Sequence, residues 1–166
     1  PYNPVTPAVV DELRQIVGGK YVITDPERLE AFSHDEVPDP RYAHMPDVVV
    51  RPGTRDEIAA VMKLANREHI PVTPRGAGSG LSGGAVPVFG GIVMLIDRLN
   101  RILEVDLENL MIVVEPGLVT NGINEVLEPH GLFYPGYPMS LETCFVGGNV
   151  AENAGGAKAV KYGVTS

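Results

Sequence analysis

Glycine is the residue whose placement in this chain points to chemistry. Of 19 glycines in 166 residues, seven fall between Gly76 and Gly91, and four more between Gly147 and Gly156. The first cluster reads Pro74-Arg75-Gly76-Ala77-Gly78-Ser79-Gly80-Leu81-Ser82-Gly83-Gly84. Residues this small let successive backbone N–H groups converge on an anion. Arg75 would add a fixed positive charge, and Ser79 and Ser82 further donors. The ligand these types suggest is a phosphate or diphosphate. A bare surface turn has a similar composition, but so many glycines directly after Pro-Arg cost conformational entropy as mere linkage.

Two familiar phosphate motifs fail here. Gly78-x-Gly80-x-x-Gly83 has the spacing of a dinucleotide fingerprint, and Asp97 lies about 20 residues further on, as that motif asks. The motif also requires a helix directly after the glycines. Pro87 and the Gly90-Gly91 pair forbid a regular one. A P-loop needs Gly-Lys followed by Ser or Thr, yet no lysine lies between Lys63 and Lys158. Two readings remain: a diphosphate held by a loop between two strands, and a glycine-rich surface loop or turn.

Other chemically able residues are sparse. His34-Asp35-Glu36 looks like a metal-ligand set on paper, but adjacent loop residues rarely converge on one ion, and ligand spacing is absent. We assign no metal site. His44, His69 and His130 stand alone. Cys144 is the single cysteine, so an internal disulfide is excluded; its expected role is a small buried hydrophobe.

Rigid elements must hold these loops. A helix is expected over residues 7–17, with Thr6 as cap, Pro7 at its first turn and Val10, Leu13 and Val17 on one face. A short helix follows over 26–32, opened by Asp25-Pro26, then an irregular stretch over 33–46. Strands are expected at 47–51, 72–74, 92–96, 102–106 and 111–115. Thr54-Arg55-Asp56-Glu57 reads as a capping box for a helix carrying Ile58, Val61, Met62 and Ala65. Further helices are expected over 120–128 and near 149–153. The fold class is α+β with β-α-β beginnings. The second glycine cluster ends the chain with no strand after it, so we expect the N-terminal part of a longer protein.

Composition narrows the partners. The net charge is -8, from 21 acidic and 13 basic residues, which argues against a nucleic-acid surface. No apolar run approaches the roughly 20 residues of a membrane span, and no signal peptide is visible. A cytoplasmic location is expected, peripheral to a membrane only through partner subunits.

The stretch from Val72 to Gly84 resembles the pyrophosphate loop of the FAD-binding domain of the vanillyl-alcohol-oxidase and p-cresol-methylhydroxylase (PCMH) type. Three further stretches match in order: Val114-Glu115-Pro116-Gly117-Leu118-Val119, Tyr134-Pro135-Gly136-Tyr137-Pro138, and the run from Val146 through Asn149 and Asn153 to Gly156. Lys161-Tyr162-Gly163 fits the same pattern. Within the superfamily the sequence is most similar to the FAD-linked subunit of glycolate oxidase and to D-lactate dehydrogenases.

The resemblance implies two α+β subdomains with FAD between them, of which this chain holds the first and the start of the second. It implies an N-terminal helical segment over 1–46 and a PCMH-type FAD-binding domain over 47–166, incomplete at its C-terminal end. Residues Arg75, Gly76, Ala77, Gly78, Ser79 and Gly80, joined by Leu81, Ser82, Gly83 and Gly84, would surround the diphosphate. Pro116 and Gly117 would support the adenine side. Pro138, Ser140, Leu141 and Thr143 would lie along the cofactor. Gly147, Gly148, Asn149, Asn153, Ala154, Gly155 and Gly156 would pack close to flavin and ribityl.

Some members attach FAD through a histidine in the first loop, near the position of Ser79. None occurs between His69 and His130, so FAD is expected to be non-covalent, with Cys144 the remaining conceivable attachment point. The implied reaction is oxidation of a small 2-hydroxy acid by hydride transfer to FAD, with electrons passed to an unidentified acceptor protein or subunit. No catalytic residue is expected within this chain. Two alternatives stay open: a glycine-loop interaction module without flavin, and a flavoenzyme of the same superfamily acting on a sugar or alkyl-glycerone. A yellow colour separates the first alternative from a flavoprotein.

Overall fold

The computed structural model describes residues 1–165, in two compact units that divide between Arg98 and Leu99. In unit 1, helix α1 spans Pro7–Val17 and buries Val9, Leu13 and Val17. The Thr6 hydroxyl accepts from the Val9 amide, which satisfies one of the unpaired donors of the first turn. Strand β1 is only Val22–Ile23. Helix α2, Pro26–Leu29, is capped by Asp25 and runs into a 3-10 turn over Glu30–Phe32. Strand β2 is Val48–Val50, and helix α3 is Arg55–Glu68.

The capping box at the start of α3 is present in a shifted form. The Thr54 hydroxyl accepts from the Glu57 amide at 3.1 Å. The Glu57 carboxylate accepts from the amide of Gly53 at 2.6 Å, one residue earlier than the motif places it. Strands β3, Val72–Arg75, and β4, Ile92–Leu95, complete a four-stranded sheet of order β1-β2-β4-β3. β4 is parallel to both β2 and β3, and β1 is antiparallel to β2.

Alternation of side chains sorts the two faces of the sheet. Val48, Val50, Ile92 and Met94 pack with residues of α1 and α3, among them Leu13, Val61 and Leu64. Val49 and Val93 face the other way, against Ile23 and Leu29. Strands covered on both faces read as continuous apolar runs, as Val48–Val50 does. Burying each such valine contributes roughly 2 kcal/mol.

Unit 2 opens with an antiparallel hairpin, β5 Ile102–Asp106 and β6 Met111–Val114, whose register shifts between Ile102 and Glu104. Helix α4, Asn121–Leu127, continues into a 3-10 turn over Glu128–His130. Helix α5 is Val146–Ala151, three residues earlier than the glycine pattern suggested, and α6 is Ala159–Tyr162. Among the described residues no helix is long and apolar enough to cross a membrane.

Candidate functional site

Adjacent parallel strands need a connection that returns along the sheet, commonly a helix. Between β3 and β4 the return is residues 76–91, which contain no helix. This is the first glycine cluster, and the structure braces it from behind. Glu36 donates its amide to the Gly80 carbonyl at 3.0 Å. The Asp35 carboxylate accepts from the Gly83 amide at 2.8 Å through one oxygen and from the Val37 amide at 3.0 Å through the other. Asp35 is buried.

Arg75 stands at the end of β3 and is 7% exposed. Its guanidinium donates to the carbonyls of His34 at 2.8 Å, Ala85 at 3.2 Å and Ala31 at 3.3 Å. Burial lowers its pKa, and the Asp35 charge opposes that shift. The side chain therefore ties the start of the loop, and Ala85 within it, to the segment around residues 31–34.

The front of the loop is different. The amides of Gly76, Ala77, Gly78, Ser79, Gly80 and Leu81 donate to no carbonyl among the described residues. Gly78 has φ +75°, and a Cβ there would overlap the Arg75 guanidinium. A side chain at this position would also be strained in the left-handed region. The donor set of consecutive small-residue amides fits an anion with several acceptor oxygens.

In unit 2 the expected residues divide into supports and open surface. The Pro116 carbonyl accepts from Gly147 at 2.8 Å, and the Gly117 amide donates to Leu99 at 2.7 Å, so the Pro116-Gly117 turn is fixed at both sides. Glu115 anchors the same turn, accepting from the Arg101 amide at 2.9 Å and from its guanidinium at 2.7 Å and 3.2 Å. These bonds hold the Glu115 carboxyl below the usual carboxylate range. A depressed folded-state pKa stabilises above the unfolded value of about 4.3 and is lost as pH falls through the folded value. Glu115→Gln should therefore lower the thermal midpoint at pH 7, with the gap from wild type closing below about pH 4. Melting curves at pH 7 and pH 3 check this; an equal gap at both would show that the charge is not involved.

Asn149 faces inward. It is 4% exposed and donates from Nδ2 to the Thr120 hydroxyl at 2.6 Å. That hydroxyl donates to the Cys144 carbonyl at 3.1 Å, with the Cys144 thiol 3.2 Å away. Cys144 is buried. This polar knot fixes α5 against the start of α4. Pro138 and Gly156 form an isolated antiparallel bridge, and a Cβ on Gly156 would run into the Tyr137 carbonyl. Leu141 is buried, and its carbonyl accepts from the Asn121 amide at 3.1 Å. Thr143 donates both its amide and its hydroxyl to the Ser140 carbonyl. Asn153 has φ +53°, and Ala154 donates to the Asn149 carbonyl at 2.8 Å. A Cβ on Gly155 would meet Val164, whereas Gly148 has open space at that position.

A depression of about 300 Å³ in unit 2 shares only Leu141 with the expected residues. Its rim carries Glu125, Glu128 and Glu142, a poor setting for phosphate, and Lys158 there sits over the rings of Phe133 and Tyr137.

Sequence reasoning misses Asp35, which it offers only as part of a metal-like triplet. Nothing local marks it: its partner Gly83 is 48 residues away, and the stretch around it has no periodicity.

A family model described as "FAD binding domain" matches residues 46–166. The glycolate oxidase subunit GlcD of Bacillus subtilis (strain 168) is 38% identical over 161 residues, covering 97% of this chain and 34% of the relative. D-lactate dehydrogenase of Anaerostipes hadrus is 42% identical over 164 residues, covering 99% of this chain and 34% of the relative. The chain thus spans about a third of the length of these curated relatives. Among solved structures, an alkyldihydroxyacetonephosphate synthase matches with a TM-score of 0.86 at 22% identity, over 99% of this chain and 32% of that one. A p-cresol methylhydroxylase matches at 0.67 and 24% identity, over 76% of this chain and 26% of that one. At such identities the likeness concerns the fold. The family model over 46–166, together with the mixed α+β fold, places this chain in the FAD-binding domain family, with FAD as its cofactor.

Proposed function

We propose that this chain binds FAD non-covalently within a full-length protein that oxidises a small 2-hydroxy acid, glycolate or D-lactate, with FAD as the hydride acceptor. The observation that carries the cofactor half of this reading is the run of amides from Gly76 to Leu81 that donate to no carbonyl among the described residues. The substrate half is supported by the names of the relatives, a glycolate oxidase subunit and a D-lactate dehydrogenase. Bound FAD supplies the electron chemistry, and the protein supplies binding and orientation.

In this reading the loop amides from Gly76 to Leu81 bind the diphosphate, and Gly83, whose amide is held by Asp35, shapes the loop. Arg75 acts by holding that loop in shape. Pro116 and Gly117 support the adenine side, and Pro138, Ser140, Leu141 and Thr143 line the cofactor. Gly147, Gly148, Asn153, Ala154, Gly155 and Gly156 bring backbone close to the flavin and ribityl, while Asn149 sets the position of α5. We assign no catalytic acid or base to these 166 residues. Electrons leave to a separate acceptor protein or subunit.

The test has two parts. Acid precipitation of the protein should release yellow flavin into the supernatant; flavin retained in the pellet would point to covalent attachment at Cys144. The 166-residue chain alone should reduce no artificial acceptor with glycolate or D-lactate. Turnover by that chain would place catalytic groups within it and overturn the assignment.

A further inference from the structure

We infer that Asp35 is a positioning residue for FAD: its buried carboxylate holds the glycine loop in its binding shape before the cofactor arrives. The inference rests on the diphosphate reading of that loop.

A run of converging N–H groups has an intrinsic cost. Their dipoles repel one another, and glycine-rich backbone has many other conformations to visit. Something must tie the loop from the far side. Three attachments do so, all from residues 31–36. Arg75 donates to Ala31 and His34, Glu36 donates to the Gly80 carbonyl, and Asp35 accepts from Gly83. In a planar trans peptide the C=O and N–H point opposite ways. Tying the Gly80 carbonyl to Glu36 therefore turns the Leu81 amide outward.

Asp35 is the member of this set whose side chain cannot be replaced by backbone. Each of its oxygens takes a different amide, Gly83 and Val37. The acid thereby fixes the loop relative to its own segment. A carboxylate near a diphosphate site would repel the ligand if it stood alone. The buried Arg75 charge, which interacts with Asp35, offsets that repulsion. The clamp thus contributes order to the loop without adding net negative charge at the site.

The experiment compares Asp35→Ala, Asp35→Asn and Gly78→Val. FAD is titrated into each apo-protein with flavin fluorescence as the readout, and amide hydrogen exchange is followed across residues 80–84. Asp35→Ala should weaken FAD at least tenfold and speed exchange at Gly83, while the far-UV spectrum stays that of wild type. Asparagine keeps one acceptor oxygen where two are used, so Asp35→Asn should fall between alanine and wild type. Should the alanine variant not fold, the asparagine variant and the wild-type exchange rate at Gly83 decide the matter. Fast exchange at Gly83 in wild-type apo-protein would overturn the clamp. Unchanged FAD affinity in Asp35→Ala, with binding still lost in Gly78→Val, would overturn it while sparing the diphosphate reading. Wild-type affinity in all three variants would overturn both.

Discussion

Gly78→Val abolishes FAD binding while the sheet of unit 1 stays folded. Two costs meet at this residue. The backbone sits at φ +75°, where a β-branched side chain is a steric outlier. The new Cβ would also occupy the volume of the Arg75 guanidinium. Displacing that group strips the Ala31, His34 and Ala85 carbonyls of a charged donor, and such bonds are worth about 1.5–3 kcal/mol each. The loop escapes by adopting another shape. Restoring the binding shape then costs roughly 4 kcal/mol, several hundredfold or more in affinity at about 1.4 kcal/mol per decade. The sheet should survive, because Val48, Val50, Ile92 and Met94 are buried with residues of α1 and α3, and Val49 and Val93 with Ile23 and Leu29. Titration of apo-protein with FAD and a far-UV spectrum check both halves. A variant that binds as wild type would mean the loop is only a connector.

The second large effect is expected at Gly156. Here the obstacle is backbone: a Cβ would run into the Tyr137 carbonyl, beside the bridge from Pro138 to Gly156. A flexible side chain could turn away, but a carbonyl held in a bridge cannot. Gly156→Val should destabilise unit 2 by about 3 kcal/mol, the upper end for overpacking. It should also release the segment carrying Pro138, Ser140 and Leu141, so FAD affinity falls with it. Gly148→Ala is the control. Its Cβ would meet nothing within 4 Å and lies inside helix α5, where alanine is favoured over glycine by about 1 kcal/mol. Thermal melts should show the two variants moving in opposite directions. A melt for Gly156→Val at or above wild type would mean that the bridge is not needed.

Much of this arrangement could be read before the structure. The cap at Thr6 and the box at Thr54 announced α1 and α3, because capping chemistry is local. The glycine loop between two strands was legible from Pro87 and Gly90-Gly91, which exclude a helix by themselves. Strand β1 was not legible, since two residues carry no periodicity and Val22–Ile23 is a strand only through its pairing with β2. Residue type also misled about direction. Arg75 suggested a charge for an anion, and the fold turns its guanidinium onto carbonyls. Asn149 was expected in a cluster close to flavin and ribityl, and the fold buries its side chain against Thr120. Such outcomes depend on partners dozens of residues away, which no local pattern encodes.

The strand order of unit 1 also bears on synthesis. β4 lies between β2 and β3, yet it is the last of the four to leave the ribosome. Until Ile92–Leu95 emerges, β2 has only β1 for a neighbour and β3 has no neighbour in the sheet. The apolar edge of Val48–Val50 is therefore unpaired while the entire glycine loop is being made, and unpaired strand edges of this kind invite pairing with other chains. The loop that serves the cofactor in the finished protein is, in the nascent one, the interval during which the sheet waits for its centre.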